Sequence, residues 1–153
     1  MKLAEALLLR SDQQKKIISL KQRINANVLV QDGDKPSEDP KELLKQVFAL
    51  IQEFQKLSYA IHETNALTKL NDGRSLLALL TLRDEFVEQH KTLTAAISNT
   101  SRESDRYSTR EIKWHKVIPV SSLQKQADDI SLKLRDLNVV IQSSNWKIDL
   151  IDA

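Results

Sequence analysis

The chain has 153 residues, 41% hydrophobic and 29% charged, with 23 basic and 21 acidic side chains for a net charge of +2. That near balance sets up no dominant field toward nucleic acid or anionic lipid, and the lack of cysteine removes structural disulfides, thiol catalysis and thiolate-held metal. Two glycines and three prolines are too few for the turns of a sheet-rich fold, so composition predicts one domain, residues 1–153, made of a few long helices.

The first helix is expected over residues 2–26. Its start contains the short apolar run Leu7-Leu8-Leu9 but no small-residue cleavage site after it, which reads as a helix start rather than a signal peptide. No apolar run in the chain approaches the roughly 18–20 residues that span a bilayer. Leu3, Leu7, Ile17, Ile24 and Val28 fall on one ladder of 3.5-residue spacing. Arg10, Gln14 and Lys21 share that ladder; long cationic stems there are expected to lie along an apolar groove with their heads in water. The β-branched stretch 27–31 then predicts a short strand. Residues 32–40 are a connection: Gly33 supplies a turn, and Asp39-Pro40 opens the next helix with Asp at the N-cap and Pro at the first position. Asp32, Asp34, Glu38 and Asp39 form an acidic cluster without the Glu-terminated spacing of a calcium loop.

The second helix is expected over residues 41–70. Leu43, Val47, Leu50, Phe54, Leu57 and Ile61 make a clean stripe, widened by Leu44, Phe48 and Ile51, and the same face turns polar at Thr64, Asn65 and Thr68. Asn71-Asp72-Gly73 is a stop signal, with Gly73 suited to the left-handed conformation that closes a helix. A third helix follows over residues 75–105, with Leu76, Leu79, Leu80, Phe86, Leu93 and Ile97 on its apolar face and Arg83 and His90 among them. So short a turn predicts the second and third helices as an antiparallel hairpin about 45 Å long.

Residues 104–110 have no apolar periodicity. Residues 111–118 alternate, with Ile112, Trp114, Lys116 and Ile118 on one side, which predicts a strand whose partner is the 28–31 stretch or a second subunit. Pro119 ends it. The last helix is expected over residues 121–145, opened by a Ser121/Gln124 capping box. Leu123, Ala127, Ile130, Leu134, Leu137 and Ile141 recur in steps of four and three, the 3.5-residue repeat of a stripe that faces a neighbouring helix. The tail keeps Trp146, Ile148, Leu150 and Ile151, apolar enough to dock.

Chemistry is sparse in this pattern. His62, His90 and His115 stand far apart in sequence, no Glu-x-x-His occurs, and there is no nucleophile elbow or Gly-rich phosphate loop. No catalytic residue, cofactor or metal ligand is predicted. The richest binding signal is residues 102–116, where Arg102, Arg106, Arg110, Lys113 and Lys116 interleave with Tyr107 and Trp114 as in segments that contact phosphate and stack bases. Glu103, Asp105 and Glu111 dilute it, and the competing expectation is that the arginines pair with neighbouring helices and Trp114 packs in the core.

Several short motifs occur together in order: Gly33-Asp34-Lys35-Pro36, Glu38-Asp39-Pro40, Asn65, Arg83-Asp84, Asp105-Arg106-Tyr107-Ser108, Glu111-Ile112-Lys113, Leu123-Gln124-Lys125-Gln126 and Asn145-Trp146. Across residues 1–150 this order resembles a septicolysin-like family of small helical bacterial proteins, also described as a domain of unknown function. The resemblance implies an all-helical fold with a small β element. The family name implies a pore-forming cytolysin, from which this sequence departs: it has no export signal, disulfide or spanning segment.

The sequence therefore predicts an all-α fold, an antiparallel bundle of four long helices with a minor two-stranded β element. It predicts a cytoplasmic structural or interaction protein that forms a homo-oligomer, without catalysis and without a membrane partner. Asn65, Arg83, Asp84, Arg106, Tyr107, Glu111, Lys113, Asn145 and Trp146 are the candidate polar or interface anchors. Nucleic-acid or phosphate binding through 102–116 is the alternative, and an enzyme with a polar cleft of Asn65, Arg83, Arg106 and Glu111 the third reading.

Overall fold

A computed structural model describes residues 1–101 and 113–151 of the chain. Four helices take about three quarters of them: α1 (Leu3–Asn27), α2 (Pro40–Leu67), α3 (Leu76–Asn99) and α4 (Val120–Lys147). The chain divides into two compact units. One comprises Met1–Ser75 with Gln142–Ala153, the other Leu76–Ile141.

In the first unit α1 and α2 form a hairpin. Ile17, Leu20 and Ile24, late in α1, pack against Leu43 and Val47, early in α2, with Leu50, Ile51 and Phe54 alongside. Late residues meeting early ones make the pair antiparallel. Fully burying each such side chain contributes about 1.5–3 kcal/mol, so this cluster is the main reason the two helices stay together. Arg10 is half-buried and Lys21 exposed, as expected for cationic stems along an apolar groove.

The loop between them is closed by polar contacts. The Asn27 amide donates to the Arg23 carbonyl (2.8 Å) and accepts the Glu38 N–H (3.1 Å). The Arg23 guanidinium forks onto the Glu38 carboxylate, with Nε donating to Oε2 at 2.8 Å. Gly33 takes φ +85°, a conformation that suits a residue without Cβ. Asp39 accepts the Lys41 N–H at 2.9 Å, and Pro40 occupies the first helical position, where a missing N–H costs nothing. Glu38 and Asp39 thus have structural work within the acidic cluster.

At the other end of the hairpin the buried surface becomes mixed: Leu3, Ala4 and Ala6 from α1, and Ser58, Ala60, Ile61, Thr64 and Asn65 from α2. Here the end of the chain returns. The Leu3 N–H donates to the Ile148 carbonyl and the Leu150 N–H to the Met1 carbonyl, both at 2.9 Å. The Ile151 N–H donates to Thr64 Oγ1 (3.0 Å), which itself donates to the Ala60 carbonyl (2.7 Å). Lys2 Nζ lies 2.7 Å from Asp149 Oδ1 and donates to the Lys147 carbonyl at 3.1 Å. The chain's two ends are thereby clasped to each other and to α2.

Helix α2 stops at Leu67, earlier than the expected 70, because Thr68 is already extended. Gly73 (φ +82°) serves the following turn instead, in which the Leu70 N–H donates to the Arg74 carbonyl and Asp72 accepts from Arg74. That short turn predicted α2 and α3 as a hairpin. The compact unit that holds α2 also contains α1 and the chain's end.

In the second unit α3 buries Leu76 and Leu79 fully and Leu80, Phe86, Leu93 and Ile97 in part. On α4, Leu123, Ala127, Leu137 and Ile141 are buried and Ile130 and Leu134 half-buried, so the whole 3.5-residue stripe is turned from water. The Ser121/Gln124 capping box does not form: α4 already begins at Val120, the Pro119 carbonyl accepts the Leu123 N–H, and Gln124 turns to Asp128.

The minor two-stranded element is absent among the described residues. Pairing there is limited to single bridges, Lys2 with Asp149 and Lys69 with Ser75. Val28 continues a helical turn and residues 29–31 pair with nothing regular. Residues 113–118 are irregular and exposed; residues 111 and 112 lie outside the described residues. An alternating pattern does not make a strand without a partner for its backbone groups.

Candidate interaction surface

The predicted anchors are distributed over several settings. Asn65 is buried on α2. Arg83 is half-buried on α3, its Nε 3.9 Å from Oδ1 of exposed Asp84, a surface pair of neighbours that contributes little. Arg106, Tyr107 and Glu111 lie outside the described residues. Lys113 is exposed, as are His115 and Lys116. Trp114 is 67% exposed, which overturns the expectation that it packs in the core. Of the cleft expected from Asn65, Arg83, Arg106 and Glu111, the two described members belong to different compact units.

Asn145 and Trp146 do come together with other residues. They line a groove of about 220 Å³ in the first unit, with Ala4, Leu7 and Leu8 from α1 and Gln142 from α4. The rim is apolar and raised: Leu8 is 61% and Trp146 55% exposed. The wall is an amide: Asn145 is only 6% exposed, and no other described residue hydrogen-bonds its side chain, whose polar atoms stay open to the groove rather than fully buried. A buried amide normally has a partner, because leaving it dry and unpaired costs free energy. An amide in that wall offers a carbonyl acceptor and N–H donors to whatever enters the groove. Among the described residues no charged one lines it.

The shifted titrating groups lie elsewhere and have local causes. The Arg23 side-chain hydrogen bond holds Glu38 below the usual carboxylate range, and the same bond raises Arg23. Arg74 lowers Asp72, and Lys2 lowers Asp149, again first through side-chain hydrogen bonds. Each pair closes a loop or the terminal clasp. None presents the opposed acid and base that mark a reacting site.

Sequence reasoning singled out Asn145 and Trp146 but missed Leu8 and Gln142. The signal was present: three consecutive leucines at 7–9 cannot share one face of a helix, so at least one has to point outward.

The comparisons with known proteins are of one kind. The sequence profile of a family of unknown function, DUF6847, matches residues 10–150. A crystal structure of a functionally unknown conserved protein from Corynebacterium diphtheriae is similar over 99% of each chain, at 32% identity and a TM-score of 0.90. Nothing among the curated proteins matches. The septicolysin name suggested by the motif order has no support in these matches, whereas membership of a helical family without an assigned function does.

Proposed function

Since the chain belongs to the family of unknown function DUF6847, we propose from its own surface that it is an interaction module that works by self-association. One observation on α4 carries this reading. Besides its buried stripe, α4 exposes Leu132, Val139 and Trp146, each at least half open to water, at intervals of seven residues. Large apolar side chains repeating every seven positions are the pattern of a helix seam awaiting another helix. A helix that served only its own core would fill that outer face with polar residues. Sedimentation velocity over a wide concentration range tests the reading. A mass that rises to that of a dimer or higher oligomer is expected; a monomer at every concentration ends it.

A second reading rests on the exposure of Lys113, Trp114 and Lys116, which suits nucleic acid or another phosphate-bearing partner. Here a labelled RNA or single-stranded DNA should bind at low salt and be released as salt rises. No binding at low salt removes it.

A further inference from the structure

We propose that the groove of Ala4, Leu7, Leu8, Gln142, Asn145 and Trp146 is where two copies of this chain meet about a twofold axis, Trp146 of each entering the groove of the other. This deepens the self-association reading and rests on it. Three observations carry the choice of site and of occupant.

The first is the idle amide. Asn145 is nine-tenths buried and lines the groove, but no other described residue satisfies it. A helix position that needed only packing would hold Ala, Leu or Met there, since Asn is a poorer helix former and its amide costs free energy when dry. The residue fits a surface that is completed from outside.

The second is that one face carries both halves of a contact. The groove offers apolar walls from Ala4, Leu7 and Leu8 with a hydrogen-bond acceptor, the Asn145 carbonyl, in the wall. Beside it stands Trp146, more than half exposed, an apolar ring system with one N–H donor. A buried indole needs a partner for that N–H. In a twofold contact the same patch serves both subunits, so residue i meets j while j meets i. Trp146 meeting the partner's Asn145, twice, satisfies that rule with groups already adjacent in the chain.

The third is charge. A twofold axis brings each group near its own copy, so a charged lining would repel itself. This lining has no charge, although 29% of the chain is charged. At about 220 Å³ the groove is also smaller than the 300–1,000 Å³ or so of small-molecule pockets, and is of the scale of one large side chain. Trp146 also ends the seven-residue series on α4, which gives the contact a continuation along that helix.

The test uses the full-length chain. Leu8→Glu and Leu8→Lys each place a charge on the exposed rim, where folding should tolerate it; circular dichroism checks that it does. Each variant alone should associate about tenfold more weakly or worse than the parent protein, and mixing the two should restore assembly, because unlike charges then face each other. Asn145→Ala should weaken association without lowering the monomer's melting temperature, since it removes no side-chain bond to another described residue. In a Trp114→Phe background, emission from Trp146 should move to the blue as the protein assembles. If the parent assembles while both Leu8 variants assemble equally well, or while Trp146 emission stays fixed, this groove is wrong and self-association stands on another face. If the parent is monomeric throughout, both readings fall together.

Discussion

The two ends of the α1–α2 hairpin are held by different physics. Toward its loop, Ile17, Leu20, Ile24, Leu43 and Val47 meet as hydrocarbon against hydrocarbon, a contact without direction whose strength grows with area. Toward the chain termini the same two helices bury Thr64, Asn65 and Ser58 beside alanines, and directed hydrogen bonds fasten the returning tail. The first end depends on how much surface is covered; the second depends on which atom faces which. The contrast teaches that one hairpin can keep its stability at one end and its specificity at the other, with the partnerless Ser58 hydroxyl at the second.

The largest expected effect lies at the apolar end. Leu20 is 2% exposed within the cluster, so Leu20→Ala removes buried methyl groups and leaves a cavity, at a cost of about 2–5 kcal/mol. Urea unfolding should show the midpoint falling with little change in slope. A loss well below that range would mean that the two-helix cluster is not the main support of its unit. At the clasp, Thr64→Val keeps the shape but removes the oxygen that receives the Ile151 N–H. The expected loss is about 1–2 kcal/mol, and amide hydrogen exchange at Ile151 should speed up more than exchange at Leu20. Equal exchange at both would erase the distinction between a local clasp and a global core.

The same comparison predicts a change of opposite sign. Ser58 Oγ is buried and has no partner. Ser58→Ala removes that unpaired group and improves helix propensity, which should stabilise the protein by about 0.5–1 kcal/mol. A destabilised variant would show that the hydroxyl has a bond in solution and would place Ser58 with Thr64 among the fastened groups.

These two ends also differ in how far the sequence announces them. The apolar end was legible: Leu43, Val47, Leu50 and Phe54 at steps of four and three fix a face, and a face that wide has to be covered. So were the stripe of α4 from Leu123 to Ile141 and the Asp39-Pro40 helix start, each of which depends only on residues a turn apart. What covers α2 was not legible. The turn at 68–75 suggested α3, because chain proximity is the usual guide; within its own unit α2 is joined by α1 and by residues beyond 141, which nothing local to α2 announces. The polar turn of the α2 face at Thr64 and Asn65 was visible as composition, but its meaning depends on Ile151, 87 positions away along the chain. The strand expected over 111–118 is not formed in its described part, 113–118, for a related reason: alternation records a local habit, and only a partner strand makes it a sheet. For the groove, two of its six lining residues stood out by type, Asn145 and Trp146. The other four became relevant only when α1 and the end of α4 were brought side by side within one unit.

The smallest expected effect belongs to the charge pair on the clasp. Lys2 holds Asp149 below the usual aspartate range, first by its side-chain hydrogen bond and then by its charge. A carboxylate whose folded value is depressed adds stability above its ordinary titration range, and that stability disappears as pH falls through the lowered folded value. Lys2→Ala should therefore return Asp149 toward an ordinary aspartate titration, read directly from its side-chain carboxyl signal by NMR. The denaturation midpoint near neutral pH should hardly change, because both groups are solvated and exposed pairs are weak. The backbone bonds from Leu3 to Ile148 and from Leu150 to Met1 do not titrate, so the tail should stay docked as the carboxylate is protonated. If protonating Asp149 instead frees Ile151 to exchange as fast as it does in Thr64→Val, the ion pair and not the threonine is what fastens the chain's end, and the division between the two ends of the hairpin becomes a matter of charge.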